Sequence, residues 1–243
     1  MPSEHIVKSY DEELKRLSSL LSQMGGMVEA QVADAIFAIG RRDSDVAARC
    51  LEGDARLDQA EHEVNQFVVR LLALRQPMAN DLRLIVSALR IAADLERAGD
   101  YAANVAKRSI ALNQMPPVRA TATIVRMGRM VQAMLKDVLD ALAAGDVDKA
   151  VAVWHRDEEI DEIYTSLFRE LLTYMMEDPR HITPSAHLLF IAKNLERIGD
   201  HATNISESLY FIQTGTQLTQ ARPKGDDTSF AVDPPAAAEG GPA

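Results

Sequence analysis

Four pairs of acidic residues could bind a cation, because the two members of each pair lie four positions apart. The pairs are Asp54/Asp58, Glu96/Asp100, Asp157/Asp161 and Glu196/Asp200. Residues at positions i and i+4 share one face of a helix, so each pair predicts two neighbouring carboxylates. Like charges at this spacing repel by roughly a few tenths of a kcal/mol, and a bound cation removes that repulsion. Carboxylate oxygens suit magnesium, manganese, calcium or iron, and zinc accepts them too, so the metal stays open.

The acidic pairs belong to an internal duplication of the chain. Residues 94–104 read DLERAGDYAAN and residues 194–204 read NLERIGDHATN, an offset of 100 positions. Asp54 and Asp58 recur at positions 157 and 161, an offset of 103. Packing alone would preserve apolar residues through a duplication, so the shared polar residues indicate a functional site. Four further residues of the repeat could support the acidic pairs, the arginines by balancing charge or anchoring an anion. They are Asn104, Asn204, Arg97 and Arg197.

The composition and the positions of the prolines predict an all-α chain. Aromatic residues make up only 5% of the chain and β-branched clusters are few, which favours helix over sheet. Proline is excluded from helix interiors, so the proline-free spans mark where long helices can run. Asp43 and Asp146 stand where helix N-caps belong. The helices are predicted near 6–40, 44–75, 80–112, 119–144, 147–177 and 185–212.

The acidic pairs of one repeat are predicted to meet across a helical hairpin. In a hairpin that turns near Pro77, the pairs on its two helices are each centred 21 residues from the turn. At 1.5 Å per residue, both pairs then lie about 30 Å from the turn, at one level. The corresponding pairs of the second repeat are centred 20 and 19 residues from Pro179. Each pair lies beside the apolar stripe of its helix, so we expect a surface cation site with four carboxylates in each repeat.

The duplication also predicts how the chain is divided. We interpret residues 1–114 and 115–213 as two tandem antiparallel three-helix bundles. Repeats of roughly one hundred residues are much longer than solenoid units, and fit two small domains or two halves of one domain. Residues 214–243 are rich in Gly, Pro, Asp and Ala with little hydrophobic pattern, so we expect a disordered tail.

Two details of the motif leave alternatives open. Gly99 and Gly199 lie inside predicted helices, where glycine costs roughly 1 kcal/mol relative to alanine. Either simple helix packing or the close approach of a metal cluster would explain why both repeats keep this glycine. His62 lies four residues after Asp58 and could add a ligand, but its counterpart in the second repeat is Thr165.

Charge and residue usage exclude several classes of function. The net charge of −10 and the lack of a basic stripe argue against a nucleic-acid groove. The single cysteine, Cys50, rules out an intramolecular disulfide framework and suits the cytosol. No apolar run approaches the length of a membrane span, so we expect peripheral membrane association at most. Neither a nucleotide-binding glycine loop nor a nucleophile–base pair can be identified, which favours a protein that is not an enzyme.

The repeated motifs resemble those of the PhoU family of phosphate-transport regulators. The resemblance rests on DLR at 81–83, LERAGD at 95–100 with Asn104, and NLERIGDHATNI at 194–205. It implies a three-helix bundle per repeat, with multinuclear iron or zinc clusters on the four acidic pairs. It further implies a cytoplasmic, usually dimeric negative regulator. Such a regulator links the ATPase of the phosphate ABC transporter to a sensor histidine kinase and restrains phosphate-starvation genes.

The chain departs from this pattern at one point, and two other functions remain possible. The second copy of DLR reads HIT at 181–183, so any role of that segment belongs to one half. A metal-free helical adaptor would use the same bundles with its acidic pairs merely solvated. A carboxylate-bridged di-iron oxidase would need Glu-x-x-His pairs, and none occurs inside the six predicted helices.

Overall fold

The computed structural model describes the backbone of residues 2–218 and the side chains of residues 10–218. This part of the chain contains eight α-helices and one short 3₁₀ helix at Pro179–His181. The α-helices are α1 (Pro2–Arg41), α2 (Ser44–Glu52), α3 (Asp54–Arg75), α4 (Ala79–Asn113), α5 (Thr121–Ala144), α6 (Val147–His155), α7 (Asp157–Glu177) and α8 (Ile182–Thr214). Of the predicted tail, residues 219–243 lie outside the described residues.

The predicted all-α fold is confirmed, since residues 2–218 contain no strand. The prediction of single helices over 44–75 and 147–177 is wrong, because each is divided in two. The first divides at Gly53, whose N–H bonds back to Cys50 and Leu51 in a tight turn. The second divides at Arg156, which is held by an ion pair of 2.6 Å to Asp137 on α5. Each half of the chain therefore has a long helix, a short helix, a medium helix and a second long helix.

The two predicted N-caps are confirmed. Asp43 accepts hydrogen bonds from the backbone N–H groups of Asp45 and Val46. Asp146 accepts one from the N–H of Lys149 at 3.0 Å. A carboxylate at this position satisfies N–H groups that have no partner within the helix, so both short helices have a fixed start.

Each half packs as an antiparallel three-helix bundle whose middle helix is the divided one. In the first half, α1 and α3 run in opposite directions: Glu13 pairs with Arg75 at 2.7 Å, and Arg16 pairs with Glu63 at 3.4 Å. The long helix α4 packs against α1, α2 and α3, and α8 packs in the same way against α5, α6 and α7. The duplication seen in the sequence is thus a duplication of one bundle.

The two bundles pack against each other through equivalent helices. Helices α4 and α8 run antiparallel, since Arg83 donates to the Ile212 carbonyl at one end and Arg108 covers the Phe190 ring at the other. Helices α1 and α5 also pack against each other. Buried apolar residues of both halves form one continuous core, so the repeats are halves of a single unit. No helix of this described part is long and apolar enough to cross a membrane.

Candidate metal centre

The divided middle helices place one acidic residue of each repeat at a helix start. Asp54 is the first residue of α3, and Asp157 is the first residue of α7. Unpaired N–H groups give a helix start a partial positive charge, which favours a carboxylate there. Asp58 and Asp161 follow one turn later on the same helices. Sequence periodicity alone did not show this placement, because it predicted both helices as continuous.

The four acidic residues from α3 and α4 form a first acidic cluster, comprising Asp54, Asp58, Glu96 and Asp100. Burial raises the pKa of Asp54, and the charges of Asp100 and Asp58 raise it further. Burial also raises the pKa of Glu96, with further increases from the charges of Asp100, Glu61 and Asp58. The predicted pairs therefore lie close enough for their charges to interact across the hairpin. Glu61, three residues after Asp58, adds a fifth carboxylate that sequence reasoning missed.

Arg97 is the internal counter-ion of the first acidic cluster. Its guanidinium lies 3.4 Å from a Glu96 oxygen and 3.0 Å from an Asp100 oxygen. The arginine side chain is more than half exposed, so water screens these pairs and their contribution to stability is small. The sequence-based role of Arg97 in balancing charge agrees with this position.

The residues Asp157, Asp161, Glu196 and Asp200 form a second acidic cluster, of which only Asp200 is partly exposed. Asp157, Asp161 and Glu196 are only 2%, 3% and 6% exposed. Burial raises the pKa of Glu196 to about 7, against the effect of Lys193 and with further increases from Asp200 and Asp161. The prediction of a surface site is therefore wrong for this repeat. The residues of the first acidic cluster remain partly or fully exposed.

Lys193 is the main difference between the two acidic clusters. Its ammonium lies 2.8 Å from one oxygen of Glu196 and 4.8 Å from the centre of the Tyr164 ring. The other carboxylate oxygen of Glu196 is buried and has no hydrogen-bond partner among the described residues. At the duplicated positions, the first half has Ala93 in place of the lysine and Glu61 in place of the tyrosine. Sequence comparison of the repeats missed Lys193, because it selects only residues that both halves share.

The two glycines that the repeats share, Gly99 and Gly199, have different surroundings. A side-chain carbon added at Gly99 would lie 2.1 Å from the buried Leu57 side chain and 3.0 Å from Gln31. At Gly199 the nearest atom is a carboxylate oxygen of Asp157, at 3.5 Å. Gly99 is therefore explained by packing between α3 and α4, while Gly199 borders the second acidic cluster itself.

Of the remaining candidate residues, Arg197 lies near the second acidic cluster, since Glu196 and Asp200 help to raise its pKa after the larger effect of Tyr101. Asn104 is exposed. Asn204 donates to Asp94 of the other half at 3.0 Å, and Arg197 donates to the hydroxyl of Tyr101 at 3.1 Å. The ring of His62 lies 2.7 Å from the Gln66 amide. Both second-half residues thus contact the opposite half of the molecule.

Comparison with known proteins identifies the family. The model of the PhoU domain matches residues 21–109 and again residues 124–209. The chain belongs to the PhoU family. One relative, from Caulobacter vibrioides (strain NA1000 / CB15N), is 56% identical over 225 residues, which cover 92% of this chain and 98% of the relative. Another, from Rhizobium meliloti (strain 1021), is 50% identical over 94% of this chain and 97% of its own length. Both are named phosphate-specific transport system accessory protein PhoU homolog.

Solved structures of two PhoU proteins have the same fold. PhoU from Pseudomonas aeruginosa is 42% identical, with a TM-score of 0.83 over 85% of this chain and all of the solved chain. The phosphate transport system regulatory protein PhoU from Streptococcus pneumoniae is 30% identical, with a TM-score of 0.79 over 87% of this chain. The two matched PhoU domains contain all eight acidic residues of the two clusters, one cluster in each domain.

A polar junction connects the two acidic clusters of this PhoU chain. His201 of α8 contacts Asp94 of α4 at 2.8 Å, and its ring stacks on Tyr101 with centres 5.6 Å apart. Asp94 lies two residues before Glu96, and His201 directly follows Asp200. The clusters are therefore neighbours across the packed pair of long helices. The motif repeat contained all of these positions, but only the antiparallel packing of α4 and α8 brings them together.

The carboxylates of this PhoU chain do not form a ready-made coordination sphere. Among the described side chains, no group of three or more His, Cys, Asp or Glu residues is placed to hold a metal ion. The donor chemistry nevertheless suits a hard or borderline cation, since carboxylates from two helices lie close enough for their charges to interact. The buried, unbonded oxygen of Glu196 fits the same interpretation.

Proposed function

We propose that this chain is an accessory regulator of phosphate transport. One observation carries the proposal: near-full-length identity of 56% with a relative named as a phosphate-specific transport system accessory protein. The family match to both halves supports it, because the two PhoU domains, residues 21–109 and 124–209, make up most of the described chain. We assign the protein to the cytoplasm and assign it no enzymatic activity.

The regulator acts through protein contacts. Its proposed partners are the ATPase of the phosphate ABC transporter and a sensor histidine kinase. The regulator inhibits signalling by this kinase when phosphate is plentiful. Long helices in two joined bundles offer extended surfaces for such partners. An acidic exterior favours partners with basic patches, and such docking weakens with salt. We also propose that the protein is a homodimer.

The acidic clusters are proposed to bind divalent or iron cations, with iron, zinc, manganese and magnesium as candidates. The support is electrostatic: in both clusters, burial and neighbouring carboxylates raise the pKa of at least one acid. A bound cation would lower these pKa values again, because it stabilises the charged carboxylates. Since the described side chains are not grouped for coordination, the carboxylates must reorient on their helices when a cation binds. The cation then serves structure or signalling.

Gene deletion tests the regulatory function. We expect the deletion strain to express alkaline phosphatase at high phosphate, because repression is lost. Wild-type protein supplied in trans should restore repression, and a chain with both acidic clusters removed shows whether cations are needed. Normal repression in a deletion strain that has no second copy of such a gene would overturn the proposal.

The metal-free adaptor is the second candidate function, favoured by the absence of grouped ligands among the described side chains. The metal content of the purified protein distinguishes the cation-binding regulator from the metal-free adaptor. Protein that regulates normally but binds no divalent cation at micromolar concentration would be the adaptor.

A further inference from the structure

A cavity of about 520 Å³ lies between α1 and the break that separates α2 from α3. Its volume is in the range of pockets that bind small molecules. None of the eight acidic residues of the two clusters is among the described residues that line it. The lining residues that determine its chemistry are Gln31 and Asp34 on α1, Arg49 and Cys50 on α2, Gly53 at the break and Arg56 on α3.

Asp34 supplies the negative charge of this cavity. It is the only carboxylic acid among the described lining residues, and it forms no ion pair with any residue in the described part of the chain. Burial, with smaller contributions from the charges of Asp34 and Asp54, raises the pKa of the Cys50 thiol to about 12. The thiol is therefore neutral at physiological pH, and the cavity offers one carboxylate to a cation.

The second half of the chain contains the same aspartate with two cations beside it. At the offset of 103 residues, Asp34 corresponds to Asp137. An Arg156 nitrogen lies 2.6 Å from one oxygen of Asp137, and the Lys149 ammonium lies 3.2 Å from the other. The charge of the aspartate is thus neutralised within the fold in this half.

The first half keeps the aspartate but lacks both cations. Gly53 stands at the position of Arg156, and the buried Val46 stands at the position of Lys149. The two breaks have similar backbone conformations, with φ and ψ of −70° and −27° at Gly53 and of −76° and −9° at Arg156. The first half therefore has the space and the carboxylate of a guanidinium site without the guanidinium.

Two arginines that line the cavity limit which cations can bind. Arg49 and Arg56 are exposed, and neither forms an ion pair with a residue that the structure describes. They repel a simple cation, but a planar guanidinium group binds a carboxylate through two parallel hydrogen bonds. Together with Asp34, these arginines match a ligand that carries both a guanidinium and a carboxylate.

We propose that this cavity binds arginine, either as the free amino acid or as the C-terminal residue of a peptide. The guanidinium of the ligand pairs with Asp34, in the space that Arg156 fills in the second half. The carboxylate of the ligand pairs with Arg49 and Arg56. The proposal is independent of cation binding and of phosphate regulation, because recognition uses no residue of the acidic clusters and no partner protein.

Titration calorimetry of the metal-free, full-length chain tests the proposal with L-arginine and N-acetyl-L-arginine. We expect saturable binding with a Kd below about 1 mM. L-citrulline lacks the positive charge and agmatine lacks the carboxylate, so each should bind at least about tenfold more weakly. Tighter binding of L-arginine assigns the site to the free amino acid. Tighter binding of N-acetyl-L-arginine, which has the acylated nitrogen of a peptide C-terminus, assigns it to a peptide.

Variants at the break test whether the ligand occupies the space of the missing arginine. We expect Asp34→Asn to weaken arginine binding by at least about tenfold. Gly53→Arg places a guanidinium inside the cavity and should abolish binding. Gly53→Ala is the matched control and should change the Kd by less than about threefold. The carbon that it adds reaches no charged group, since the nearest atom is the Cys50 carbonyl oxygen at 3.2 Å.

Thermal unfolding without ligand gives a second measurement of the same space. Gly53→Arg should melt at a higher temperature than Gly53→Ala, and adding Asp34→Asn to both variants should remove the difference. The absence of saturable binding of either arginine compound up to about 10 mM overturns the proposal. Binding of L-citrulline as tight as that of L-arginine also overturns it, as does unchanged binding in Gly53→Arg.

Discussion

The second acidic cluster makes a quantitative prediction about Glu196. Burial raises the pKa of its carboxyl from 4.5 to about 7 in the folded chain. Because the folded pKa is the higher one, the native chain holds this proton more tightly than the unfolded chain does. The stability gained from protonation is complete below the unfolded pKa and is lost as the pH rises to about 7. The difference between these two pKa values corresponds to about 3 kcal/mol of unfolding free energy.

Glu196→Gln tests this value, because glutamine keeps the shape and removes the ionisation. In metal-free protein at pH 8, we expect the variant to be more stable than wild type by up to about 3 kcal/mol. For a chain of this length that corresponds to a melting temperature about 6–12 °C higher. At pH 4 the two proteins should have nearly equal stability, since Glu196 is protonated in both states of the wild type.

Urea unfolding in the presence of a chelator measures the effect at pH 4, 6 and 8. Glu162→Gln is the matched control, because Glu162 is an exposed glutamate on α7 and should change little at any pH. An equal gain at pH 4 and pH 8 would refute the electrostatic reasoning. A loss of stability at pH 8 would also refute it, since the ion pair with Lys193 would then outweigh the cost of burial.

The remaining predictions concern the cations and the packing of α4. Replacing Glu96 and Asp100 by Ala should remove the cation of the first acidic cluster, which elemental analysis measures. The same double variant should not lower the melting temperature of the metal-free protein. An unchanged metal content would contradict the assignment of this cluster as a cation site. Cation affinity of the second acidic cluster should fall below about pH 7 in titration calorimetry, because Glu196 must lose its proton first. Gly99→Ala should destabilise the fold by about 1–3 kcal/mol through overpacking against a buried leucine. A side-chain carbon added at Gly26 meets no atom within 4 Å, so Gly26→Ala should instead stabilise the fold by roughly 0.5–1 kcal/mol. Equal changes of stability in the Gly99 and Gly26 variants would exclude the packing explanation.

Local features of the structure could be predicted because they depend on local chemistry. The proline-free spans gave the helices, with differences of a few residues at most ends. The caps at Asp43 and Asp146 followed from residue type and position alone. The helix breaks at Gly53 and Arg156 were missed, because the apolar stripe continues through them and the second break is held by Asp137 from another helix.

That the chain is helical, duplicated and contains four acidic pairs follows from the amino-acid sequence, since periodicity and spacing are properties of the order of residues. How exposed those pairs are depends on the packing of the helices against each other. Three of the four equivalent residues are exposed or partly exposed in the first half and buried in the second, because burial depends on neighbours such as Lys193 and Tyr164 that the halves do not share. The junction between Asp94 and His201 likewise required α4 and α8 to pack antiparallel. Contacts between halves depend on the summed packing of many side chains, which no single motif encodes.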